Sequence, residues 1–172
     1  MKGKIMHLVL LLLIGTIPVA AQKSDRKAEK ERKRVEKEKE ITALIDSKTF
    51  EFRATRAIPT GYKSVDLTTN PNFVKFSNDL IVSEMPFYGR AYSVSYGGDS
   101  GLKFEGKPEI YTVEKKKKNY EIEAKVKDKN DYFTINLTVS SEGSSTMSIS
   151  SNNRTSISYN GEIFAPEVPK EK

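Results

Sequence analysis

The stretch Tyr120-Glu-Ile-Glu-Ala-Lys-Val-Lys-Asp-Lys-Asn-Asp-Tyr-Phe-Thr-Ile-Asn-Leu-Thr-Val139 decides the fold. Tyr120, Ile122, Ala124 and Val126 alternate with Glu121, Glu123, Lys125 and Lys127. That period of two puts an apolar row on one face of a strand and a charged row on the other. Asp128 to Asp131 carries turn chemistry. Phe133, Ile135, Leu137 and Val139 then alternate with Thr134, Asn136 and Thr138. Two one-faced strands around a short polar turn read as an antiparallel hairpin.

The same pattern continues outward. Ile110 to Glu114 precedes Lys115-Lys116-Lys117-Lys118 and Asn119, so the lysines sit at a hairpin end, where charge discourages sheet-to-sheet pairing. Downstream, Ser141 to Ser144 turns the chain, Met147 and Ile149 alternate with serines, Ile157 and Tyr159 follow, and Ile163 and Phe164 close the domain. Upstream, Phe50, Phe52 and Ala54 alternate with polar residues, and Tyr62 to Thr68 repeats this through Val65 and Leu67. Asn70-Pro71-Asn72 is a turn. Phe73 to Phe76 and Leu80 to Met85 form a short pair around Ser77-Asn78-Asp79, and Leu102 and Phe104 begin a strand ended by Gly106 and Pro108.

These segments amount to eight to ten strands without crossover helices, which excludes a parallel α/β fold. The expected fold is mainly β: an antiparallel meander closed into a barrel or sandwich, with one N-terminal helix. Closure buries the apolar face and hides the edges. The expected inward set is Phe50, Phe52, Val65, Leu67, Ile81, Phe104, Ile122, Val126, Phe133, Ile135, Leu137, Val139, Ile149 and Ile157.

The chain divides into residues 1–21, a signal peptide; 22–46, a charged helical segment; 47–165, the β domain; and 166–172, a loose tail. Lys2 and Lys4 lead the apolar run Leu8–Ile14, Gly15 and Pro18 break it, and Val19-Ala20-Ala21 offers small residues for cleavage before Gln22. The run is too short to span a bilayer, which takes about 20 apolar residues. A periplasmic or secreted location follows, with no stable membrane anchor.

The formal charge is +6, from 29 Lys and Arg against 23 Asp and Glu. Gln22–Glu40 carries 9 basic and 6 acidic residues in mixed order, and residues 41–172 carry 18 and 17. Neither the mixed helix nor the nearly neutral domain suits duplex nucleic acid. The helix is expected from about Ser24 to Asp46, solvated at first and docked at its end by Val35, Ile41, Leu44 and Ile45, with Glu29–Lys33 as an i,i+4 pair.

There is no Cys, and the one His, His7, lies in the leader. Beyond Ala21 the chain lacks thiol and imidazole, which excludes Ser–His–Asp and Cys–His catalysis and His- or Cys-based metal sites. No cofactor is expected and the protein is not expected to be an enzyme. Glu121 and Glu123, beside Lys125 and Lys127, read as solvated cross-strand partners. A carboxylate hydrolase would need two acids about 5–10 Å apart in a cleft, which spacing alone does not supply.

The candidate site lies in two polar segments. Residues 85–104, MPFYGRAYSVSYGGDSGLKF, contain Phe87, Tyr88, Arg90, Tyr92 and Tyr96 with four glycines. Tyrosine offers a flat apolar face with a polar tip, and Arg pairs with anions through two donors. Ser151-Asn152-Asn153-Arg154 precedes the strand bearing Tyr159. Both segments are expected to edge one pocket mouth. The alternative is a connection whose tyrosines pack on the sheet while Arg90 satisfies loop carbonyls.

The combination of Lys48-Thr49-Phe50-Glu51-Phe52, Pro86-Phe87-Tyr88-Gly89-Arg90-Ala91-Tyr92, Tyr96-Gly97-Gly98 with Leu102-Lys103-Phe104, and Ser151-Asn152-Asn153-Arg154 with Ile157-Ser158-Tyr159-Asn160-Gly161 resembles a family of exported proteins of Gram-negative bacteria, domain of unknown function 4251. The resemblance spans about Ile41 to Ile163. It implies an envelope location and a barrel-like or lipocalin-like fold, and it carries no catalytic residues. Some relatives look like lipoproteins; this chain, lacking Cys, departs from them. The expected partners are a small apolar or glycan-like molecule, or an envelope protein. The alternative is a structural protein with no small ligand, whose barrel interior would be filled.

Overall fold

The alternation seen at Tyr120–Val139 builds the longest uninterrupted ladder of the protein. The computed structural model describes residues 18–69, 72–92, 101–129 and 131–166. Most of the leader, Tyr96 and residues 167–172 lie outside them. Among these residues one helix, α1 (Pro18–Asp46), precedes ten strands: β1 (Phe50–Pro59), β2 (Val65–Asp66), β3 (Phe73–Phe76), β4 (Ile81–Met85), β5 (Leu102–Gly106), β6 (Pro108–Lys116), β7 (Asn119–Asp128), β8 (Asp131–Ser140), β9 (Ser144–Ser151) and β10 (Arg154–Phe164).

All pair antiparallel in the order β5-β4-β3-β1-β10-β9-β8-β7-β6, with β2 beside β1. The β7–β8 register runs without a slip from Asn119↔Ser140 to Asp128↔Asp131. Lys116↔Asn119 closes the β6–β7 hairpin at the lysine run. Lys117 and Lys129 take positive φ at these two tips, the backbone twist that short hairpins require.

The sheet curls until its ends approach, giving a nearly closed barrel. Phe104 of β5 stacks on Phe133 of β8 at 4.1 Å between centroids, and Phe76 of β3 meets Tyr111 of β6 edge-on at 6.4 Å. Gly106 at the end of β5 lies so close to β7 that an added Cβ would stand 2.6 Å from the Lys127 carbonyl oxygen. The expected inward residues are buried, except Val65, which packs against the core while half-buried. Phe50, Phe52, Phe76 and Tyr159 occupy the interior at 2% exposure or less. Each large apolar side chain so buried stabilises the fold by roughly 1.5–3 kcal/mol.

Two expectations change. Tyr62–Thr68 reads as a strand, but only Val65–Asp66 is one. Tyr62 sits in a turn, its N–H bonded to the Pro59 carbonyl, and β1 spends most of its length on β10 and β3. The helix begins at Pro18 rather than near Ser24; proline suits a first helical turn because its missing N–H has no helical partner there.

The chain separates into two compact units at Glu36/Lys37. In the first, the expected Glu29–Lys33 pair forms at 2.7 Å and Val35 is exposed. In the second, Ile41 and Ile45 are buried with the barrel core, and Thr42 Oγ1 shares a 2.8 Å hydrogen bond with the Tyr120 hydroxyl. The docked part of the helix is thus its last turns. Lys48, at φ 53°, ends it in a left-handed conformation.

A bulge between Ala54 and Arg56 bends β1 against β10. Asn72 braces the bend: its Oδ1 accepts the Ala54 N–H at 2.7 Å and its Nδ2 donates to the Leu67 carbonyl at 3.0 Å. Gly161 is required opposite, because a Cβ there would collide with the Arg53 carbonyl.

Candidate functional site

Residues 86–92, bent at Gly89, leave β4 and lie as a strap along the β9–β10 turn. Ala91 forms a bridge with Arg154. The Tyr92 N–H donates to the Asn153 carbonyl at 2.7 Å, and the Thr155 N–H to the Arg90 carbonyl at 3.0 Å. The Arg90 N–H in turn donates to Thr155 Oγ1 at 3.1 Å. Gly89 fits because a Cβ would fall 2.6 Å from Thr155 Oγ1 and against the Phe87 ring. The two segments singled out in the sequence are therefore joined by main-chain bonds.

Beneath the strap, the interior side chain of Tyr159 donates its hydroxyl to the Pro86 carbonyl at 2.7 Å. Burial pushes the Tyr159 phenol pKa up; nearby Tyr88 adds to this and Arg154 opposes it. Arg154 donates from Nη1 to the Gly101 carbonyl at 2.8 Å, and its guanidinium lies 5.2 Å from the centre of the Phe87 ring. Arg154 and Phe87 thus fasten the loop at both its ends. These two predicted site residues, with half-buried side chains, are spent inside the structure.

Of the other predicted residues that the structure describes, Tyr88, Arg90, Tyr92 and Asn152 face outward. Tyr92 is 73% exposed and Tyr88 36%. Arg90 is exposed, and hydrogen bonding to the Tyr62 side chain raises its pKa above the ordinary guanidinium value. Asn152 is exposed, with its N–H on Asp131 Oδ1 at 3.1 Å; Asn153 is half-buried. Tyr62 joins this cluster although nothing in the local sequence marks it. Thr155, the strap's anchor, and Tyr159, its internal tie, were equally invisible as site residues.

A concavity of about 600 Å³ lies apart from the strap, at the β1 bulge, lined among others by Glu51, Arg53, Asn72, Phe73, Lys75 and Phe164. Alternation sets Glu51 outward, yet its side chain is only 4% exposed. Arg53 Nε lies 2.6 Å from its Oε1 and Lys75 Nζ 3.7 Å from its Oε2. These cations also cover Phe164 and Phe73, at 5.3 and 4.4 Å from the ring centres. A carboxylate so flanked is a satisfied structural charge.

Glu121 is paired with Lys116 at 2.6 Å and Glu123 with Lys125 at 3.6 Å, as solvated strand partners. Among the described residues no three His, Cys, Asp or Glu side chains converge as metal ligands. Among them, too, no helix is long and apolar enough to cross a membrane.

No curated protein matches the chain. A crystal structure of a DUF4251 family protein from Bacteroides eggerthii DSM 20697 superposes with a TM-score of 0.59 at 17% sequence identity, covering 75% of this chain and 87% of that one. The likeness extends to the fold. The family model described as domain of unknown function, DUF4251, matches residues 32–163, so the chain belongs to the DUF4251 family.

Proposed function

We propose that the protein is an exported, non-catalytic recognition domain that binds a glycan-like ligand on the outer face of the strap. One observation carries this reading: Tyr62, Tyr88 and Tyr92 are exposed around Arg90, on a backbone tied down by the Ala91–Arg154 bridge. Flat aromatic faces beside a guanidinium and the Asn152 amide suit the apolar faces and hydroxyls of a sugar ring. A rigid backbone lowers the ordering cost of binding. The interior is occupied by Phe50, Phe52, Phe76 and Tyr159, which supports an external site. Export rests on the leader reading of Met1–Ala21.

The second reading is an envelope protein as partner of the same strap, with no small ligand; the filled interior favours it over a small apolar ligand held within the barrel. Titration of the labelled protein with soluble bacterial envelope oligosaccharides, followed by NMR, tests the choice. Shifts should centre on residues 88–92 and 152, and Arg90→Ala or Tyr92→Ala should weaken binding at least roughly tenfold with unchanged thermal stability. Binding unaffected by both substitutions removes the strap from the site.

A further inference from the structure

The first compact unit of the chain ends at Glu36, and its described part is the opening of α1. From Arg26 to Glu36 every side chain is exposed. The stretch reads RKAEKERKRVE, with the charges mixed in sequence order. Wound into a helix, they separate. Successive residues turn by about 100°, so Arg26, Lys27, Lys30, Lys33 and Arg34 fall within one arc of about 120°. Glu29, Glu31 and Glu36 each lie about 100° or more from the middle of that arc, and Arg32 is nearly opposite it.

The result is a single file of cations with an acidic shoulder on each side. Lys33 leans to one shoulder, 2.7 Å from Glu29 Oε1, while both side chains stay mostly exposed; an exposed pair of this kind is weak and leaves the lysine available. The cations arrive once per turn: Arg26 with Lys27, then Lys30, then Lys33 with Arg34. Their repeat is the helix pitch of about 5.4 Å, comparable to the advance of one sugar ring along a linear polysaccharide. The apolar residues of the stretch, Ala28 and the exposed Val35, lie on the far side of the helix. The cations therefore cannot rest on lipid headgroups while an apolar face sinks in beside them, as interfacial helices do.

We propose that this stripe docks a linear anionic polysaccharide bearing one carboxylate per sugar, which lies along the helix and meets cations at each turn. Charge complementarity carries the recognition. Arg26 and Arg34, at the two ends of the file, can each take a carboxylate through two donors, and the lysines between them act as point charges. Glu29, Glu31 and Glu36 repel a polyanion from the sides and confine it to the one file. Export, on the leader reading of Met1–Ala21, favours an envelope polysaccharide over nucleic acid. The stripe is separate from the strap and does not depend on it.

Fluorescence anisotropy of an end-labelled oligogalacturonate long enough to span the stripe reads the binding. The expected result is binding at about 50 mM NaCl that weakens at least tenfold by about 300 mM, with none of an uncharged dextran oligosaccharide. The exchange Lys30→Glu, Glu31→Lys keeps composition and net charge but breaks the file at its middle, and should weaken binding roughly tenfold or more. The exchange Arg32→Glu, Glu36→Arg rearranges the far side alone and should leave binding within about twofold. Unchanged far-ultraviolet circular dichroism confirms the helix in both. No binding at low salt overturns the inference. So does dextran bound equally well, a Lys30/Glu31 exchange that binds like the parent, or a far-side exchange that weakens binding as much. Binding abolished by Lys117→Glu, Lys118→Glu would assign the polyanion to the β6–β7 tip, and tighter binding to phosphatidylglycerol vesicles than to the oligogalacturonate would make the stripe a lipid site; either result also overturns it.

Discussion

The Tyr159 hydroxyl donates to the Pro86 carbonyl across 2.7 Å, tying a side chain from inside the barrel to the strap above it. Tyr159 itself is 0% exposed. Tyr159→Phe keeps the ring and leaves the carbonyl without this donor. The expected cost is about 1 kcal/mol in urea unfolding, with faster amide exchange confined to residues 86–92. Exchange unchanged in the strap would mean that its bonds to Asn153 and Thr155 hold it alone.

Gly161 is expected to be intolerant of any side chain. A Cβ there collides with the Arg53 carbonyl, a main-chain atom braced by the neighbouring bulge. Gly161→Ala must push β1 and β10 apart, and a loss of about 2 kcal/mol or more in chemical denaturation is expected. By contrast, Gly61→Ala meets open space, and the strain comes only from its positive φ, so its cost should be the smaller of the two. Equal costs would contradict the close strand approach.

Alkaline pH should destabilise the barrel through its buried phenols. Burial pushes the Tyr111 pKa up to about 12 and that of Tyr159 upward as well. In the unfolded chain both ionise near the ordinary value of about 10. Above that pH the unfolded state therefore binds fewer protons than the folded one, and stability falls as pH rises. Below about pH 10 these two groups contribute no slope. The urea midpoint measured from pH 8 to about pH 12 should drop only in the upper half of the range. Tyr111→Phe, which keeps the ring and removes the ionisation, should make that drop shallower.

The strands were legible because a one-faced strand writes its burial into every second residue. Phe133, Ile135, Leu137 and Val139 fall inward as read, and Lys116↔Asn119 turns the chain at the lysine run. The end of α1 was legible for a related reason: Ile41 and Ile45 share a helical face, and both are buried. Tyr62–Thr68 misled because alternation is necessary for a strand but pairing makes one, and β1 offers that segment room for two residues. Glu51 misled in the opposite sense. It holds an outward position, yet Arg53 and Lys75 cover it.

The candidate site was legible as two segments and illegible as an arrangement. Its residue types announced a polar, aromatic loop, but Arg154 and Phe87 turned inward to fasten it, whereas Tyr62 joined Arg90 from a distant turn. Which of two arginines is spent on a carbonyl and which faces solvent depends on distances between strands remote in sequence.

The sequence by itself determined the antiparallel β class, the inward rows, the hairpin ends and, beyond Ala21, the absence of thiol and imidazole chemistry, because these depend on residue type and local period. The tertiary structure alone decided the curl that stacks Phe104 on Phe133, the covered state of Glu51 and the closeness of Gly161 to β1. These follow from how a twisted sheet closes on itself, and closure brings together residues whose contact no local pattern encodes.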